Sequence, residues 1–89
     1  DLNVNAAIDP VSRVILLEGG PDVSGISTGV VGQELILILI SGSTNIPSGL
    51  PDIRLNADVP FAMNEGSSIH FVYVSAGSVN AWVEISRSN

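Results

Sequence analysis

The stretch Glu34-Leu35-Ile36-Leu37-Ile38-Leu39-Ile40 decides the fold class, because every position after its first is a branched aliphatic residue. Side chains alternate across an extended chain, so Leu35, Leu37 and Leu39 face one way and Ile36, Ile38 and Ile40 the other. A strand apolar on both faces needs cover on both. A chain of 89 residues builds one small core, which covers one face. The second face predicts an assembly rather than a monomer. The stretch is too short to cross a bilayer, which takes ~20 apolar residues as a helix.

Composition agrees with an assembled β domain. A domain of this length buries only roughly 60–65% of the surface of its unfolded chain, which leaves its stability marginal. The chain has no cysteine, so neither a disulfide nor a thiolate zinc site holds it, and association is the remaining staple. Nine acids against three arginines and no lysine give a net charge of −6. That charge repels phosphate backbones and anionic lipids, so nucleic acid and membrane insertion are not expected. Hydrophobic residues make up 45% and charged ones 13%, a balance that folds rather than staying disordered.

Outward from the central stretch, short apolar runs alternate with Gly, Pro, Asn, Asp and Ser, and no window carries a helical period. Val14 to Glu18 reads as a strand closed by Gly19-Gly20-Pro21-Asp22, with a short strand near Ser24 to Thr28. Gln33 to Ile40 is the central strand, broken by Ser41-Gly42-Ser43-Thr44-Asn45. Asp52 to Ala57 reads as a half-exposed strand with Ile53, Leu55 and Ala57 inward. Ser68 to Ser75 carries Ile69, Phe71 and Tyr73 on one face and His70, Val72 and Val74 on the other, and the Ala76-Gly77-Ser78 turn leads by a hairpin into Asn80 to Arg87. Six to seven short strands predict an all-β fold, a small antiparallel sandwich or barrel of jelly-roll type. Residues 1–10 read as an arm to a longer parent chain and residues 11–89 as a single β domain. The polar Ser86-Arg87-Ser88-Asn89 ending reads as a natural C-terminus.

No motif supports catalysis or a cofactor. Gly25-Ile26-Ser27-Thr28-Gly29 fits G-x-S-x-G, but the elbow needs a helix after the serine and Val30-Val31-Gly32 leads into a strand. His70, the single histidine, lies within a strand, where a structural or interface role outweighs a general base. One histidine without cysteine makes a transition-metal site unexpected. Asp52, Asp58 and Glu65 could hold calcium through oxygen, but their spacing matches no EF-hand, and solvated surface acids are the better reading. A carboxylate pair for glycoside hydrolysis gives way to a module without its own catalysis. Trp82 could stack on a sugar; in a chain with four aromatic residues, Phe71, Tyr73 and Trp82 are needed first for the core.

Four pieces in order resemble a C-terminal module of phage tailspikes, tail fibres and related virion appendages. They are Gly32-Gln33-Glu34-Leu35-Ile36-Leu37, Ile53-Arg54-Leu55, Ser68-Ile69-His70-Phe71-Val72-Tyr73 and Trp82-Val83-Glu84-Ile85-Ser86-Arg87, spanning roughly Val14 to the end. Val83 stands where a tyrosine is common in that family, and Asp52 where glycine or asparagine is. No ligand contact is carried over. The resemblance implies a homotrimer on the virion, outside the host cell, that holds three chains in register and in some members touches the host surface. The alternative is a carbohydrate-binding module that reads a bacterial glycan through loop polar groups and Trp82. A self-processing peptidase-like domain is the third reading.

The two aliphatic rows are assigned by Glu34, which heads the isoleucine row. A carboxylate sits more easily at an interface rim than in a closed core. The expected core is therefore Leu35, Leu37, Leu39, Phe71, Tyr73 and Trp82, and the expected trimer contact Ile36, Ile38 and Ile40.

Overall fold

The computed structural model describes the backbone of residues 2–4 and all of residues 7–89. It is mostly β, with no α-helix among the described residues. The strands are β1 (Leu2–Val4), β2 (Ala7–Ile8), β3 (Val14–Glu18), β4 (Gly25–Ile26), β5 (Glu34–Ser41), β6 (Ser43–Ile46), β7 (Ile53–Arg54), β8 (Phe61–Asn64), β9 (Ser68–Ala76) and β10 (Val79–Ser88). Six form one sheet in the order β1-β3-β5-β9-β10-β7, and two ribbons, β2-β4 and β6-β8, accompany it.

The sheet is mixed and open, which corrects the expected antiparallel sandwich or barrel. β1, β3 and β5 run parallel, as do β2 with β4 and β7 with β10. Parallel neighbours need long crossovers, and here the crossovers stack on one another. The Gly19, Gly20 and Val23 N–H groups donate to the Ser41, Ser43 and Asn45 carbonyls at 2.7, 3.2 and 2.9 Å. The first half of the chain is thus wound in successive turns. The second half reverts to antiparallel pairing, with β5 against β9 and β9 against β10. The β9–β10 hairpin closes through Gly77-Ser78, where Gly77 takes the positive φ of 61° that the tight turn requires.

The central strand divides its two rows sharply. Leu35, Leu37 and Leu39 are fully buried among Ile15, Leu17, Ile69 and Phe71. Ile36 and Ile38 are half-buried and Ile40 is 43% exposed. Trp82 and Phe71 are fully buried and Tyr73 nearly so. Gly29 lies against the core and Gly25 against the Asp52 carboxylate. A Cβ on Gly29 would fall 2.5 Å from Trp82 Cζ2, and one on Gly25 would fall 2.7 Å from Asp52 Oδ2.

Several local expectations are revised. β6 occupies the segment read as a break; its Thr44 and Ile46 are buried, and it pairs with β8, whose Phe61 and Met63 are buried too. The strand from Asp52 ends at Arg54, because the chain enters a 3-10 turn at Asn56–Asp58 in which Ala57 and Asp58 both have positive φ. Ala57 is exposed rather than inward. Within the segment read as an arm, Ile8 is fully buried and pairs beside Ile26, so that part belongs to the core. Asp1, Asn5 and Ala6 of that arm lie outside the described residues.

Candidate assembly surface

Cross-strand register builds the outer face of the main sheet, since paired residues point to the same side. One row runs Val14, Ile36, His70, Ser86 and the next Leu16, Ile38, Ser68, Ser88. A third joins Glu34, Val72 and Val83. The aliphatic side chains of these three rows are half-buried or exposed, so the chain's own fold leaves them partly in water. Four strands about 4.8 Å apart, each contributing about seven residues at about 3.3 Å, give a face of roughly 20 by 25 Å. Pairing it with a like face removes on the order of 1,000 Å² in total, the range in which specific interfaces begin.

A charged array lies on this face beside the serines of β9 and β10. Arg13 Nε and Nη2 donate to Glu34 Oε1 at 3.0 and 2.7 Å, and His70 Nε2 lies 3.6 Å from the same oxygen. The Arg13 guanidinium, by hydrogen bond and charge, holds the Glu34 carboxyl below its usual range, with a smaller contribution from His70. His70 Nε2 is buried and has no hydrogen-bond partner. Arg13 is 21 positions from Glu34 and carries no local signal of the pairing; the parallel β3–β5 register brings the two together. A shallow groove beside the array is lined by Val11, Ser12, Arg13, Gly32, Gln33 and Glu34. Its rim is braced by Gln33, whose side-chain amide donates to the Pro10 carbonyl at 3.2 Å and accepts from the Val30 N–H at 2.9 Å. The exposed Val11, Val30 and Val31 extend apolar surface around this end.

Charge is distributed away from the face. Glu34 is matched by Arg13, and Glu18 sits at the far end of β3. Asp9, Asp22, Asp58 and Glu65 are exposed in loops and turns. Asp52, read as a solvated acid, is instead partly buried: Oδ2 accepts from the Ile26 N–H at 3.0 Å, and its carbonyl accepts from the Trp82 N–H at 2.9 Å. Among the described residues no three acids or histidines come together as a metal cage.

Glu84 lies on the core side. Period two would put it opposite Arg87, but the register shifts between Glu84 and Ser86, and this bulge turns Arg87 to the same side. Arg87 Nε and Nη2 then grip the two Glu84 oxygens at 2.6 and 2.7 Å. Arg87 also donates to the Val59 and Pro60 carbonyls and lies 4.6 Å over the Phe61 ring, while Glu84 accepts from the Asn56 N–H. The clamp ties the strained 56–60 loop to β10. The Arg87 hydrogen bonds hold Glu84 below the usual carboxylate range despite its burial. A depressed folded value adds stability that is present above the unfolded value and lost as pH falls through the folded one. The urea midpoint should therefore drop below about pH 4.5. Glu84→Gln should be less stable at neutral pH and show a shallower acid slope; an unchanged slope would exclude Glu84 as a source.

The remaining sequence candidates find structural places. Ser27 is exposed in a loop after β4 and uses its backbone: its N–H donates to the Ile8 carbonyl and its carbonyl accepts from Trp82 Nε1 at 2.9 Å. No helix follows it, so the elbow geometry is missing. Trp82 is 0% exposed, which corrects its reading as a glycan contact: a sugar cannot stack on a ring enclosed by Tyr73 and Gly29. Compared with known proteins, the chain matches no family model, no curated protein and no solved structure.

Proposed function

We propose that this chain is a non-enzymatic assembly module, in which copies of itself cover one another's outer sheet faces. The observation that carries this reading is the aliphatic surface of β3, β5, β9 and β10, half-buried within one chain and nearly free of unmatched charge. A second copy of the chain is the fitting occupant. Two chains of net charge −6 repel through most of their surfaces, and this face admits close approach because its acid is already paired. The burial gained supplies the stability that a small domain without disulfides lacks.

The resemblance of the ordered segments supports three as the number of copies and the distal end of a phage tail appendage as the setting. Closed threefold symmetry suits a fibre end, where three chains must be held in register. Contact with a host glycan, in this reading, falls to loop polar groups and not to Trp82. Small-angle scattering tests the assembly. The Cα radius of gyration of one chain is 11.7 Å; a clearly larger particle is expected, and a radius near the single-chain value at millimolar concentration would refute the proposal.

A further inference from the structure

We infer that the Arg13–Glu34–His70 array fixes the relative placement of the copies, an inference that rests on the outer face being their interface. Apolar burial is non-directional, and a smooth aliphatic sheet tolerates sliding and alternative pairings. Polar groups within such a face do not: each must meet a partner or pay desolvation. The array lies where three strands meet, Arg13 just before β3, Glu34 at the start of β5 and His70 in the first half of β9, and the neighbouring β10 residue is the uncharged Ser86. Arg13 remains 67% exposed although two of its nitrogens hold Glu34. It therefore still presents donor capacity outward.

His70 adds a second polar group to the array. Its Nε2 is buried beside the Glu34 carboxylate, which only accepts hydrogen bonds. At 3.6 Å that nitrogen makes no hydrogen bond within its own chain, so it is a polar atom that the single chain leaves unsatisfied. Each copy thus offers the Arg13 donors and an unsatisfied imidazole nitrogen at fixed spacing beside the Ile36 and Ile38 side chains, next to the groove formed by Val11, Gly32 and Gln33. Only an offset that satisfies both across the interface avoids burying them unpaired. This is the use of a polar group in an apolar interface that selects register at some cost in stability.

The chain has no cysteine, so Ser78→Cys, in the exposed β9–β10 turn and off the face, gives one spin-label site per copy. Double electron–electron resonance then reads the distances between copies, and light scattering on the same sample reads their number. The otherwise native chain should give one narrow distance distribution. Arg13→Met, Glu34→Leu and His70→Leu combined should remain assembled but give two or more distances or a mixture of stoichiometries. Glu34→Gln, which keeps the shape and removes the charge, should broaden the distribution and guards against misfolding of the triple variant. A single unchanged narrow distance and unchanged mass in both variants would overturn the inference while leaving assembly intact. A labelled native chain that is monomeric would overturn the underlying reading as well.

Discussion

Trp82→Ala is expected to leave the chain largely unfolded at room temperature. The ring is fully buried, meets Tyr73 edge-on at 5.2 Å between centroids, and donates Nε1–H to the Ser27 carbonyl. Truncating a buried tryptophan costs about 3–5 kcal/mol, and the orphaned carbonyl adds about 1 kcal/mol or more. A domain of this size holds roughly 4–13 kcal/mol in total. Circular dichroism during urea titration reads the loss; an unfolding free energy within about 1 kcal/mol of the native chain's would contradict the placement of Trp82 at the centre of the core. Trp82→Phe should recover part of the loss, since it restores volume and not the hydrogen bond.

Two neighbouring substitutions should separate folding from assembly. Ile38 lies on the outer face between Leu16 and Ser68, and Leu37 on the inner face between Ile15 and Ile69. Ile38→Asp puts an unpartnered carboxylate into every copy's contact, so it should yield a folded monomer. Leu37→Asp buries the charge within the chain's own core at a cost of several kcal/mol, which abolishes folding. Dichroism and sedimentation velocity together distinguish the cases. An Ile38→Asp chain that stays assembled with native stability would remove the isoleucine row from the interface.

The contrast between these adjacent residues was legible in the sequence because strand period is two and Glu34 marks which row reaches water. Val14 to Glu18, the β9–β10 hairpin and the buried Phe71, Tyr73 and Trp82 were legible on the same ground. Strand direction was not. Alternation tells which face a side chain takes but not which neighbour it pairs with, so the parallel β1-β3-β5 order was hidden, and with it the Arg13–Glu34 contact. β6 was hidden by composition: Ser43 and Asn45 face water, Gly42 precedes them, and pairing with β8 supplies what strand propensity does not. The Glu84–Arg87 clamp depends on a bulge at Ile85, which moves Arg87 across the sheet and leaves no mark in a period-two pattern.

Light scattering coupled to gel filtration over a hundredfold dilution reads whether the folded unit is several copies joined through the outer face. One species of three times the 9.2 kDa chain mass is expected, giving way to monomer only at the lowest concentrations. A single species of 9.2 kDa at every concentration would contradict it.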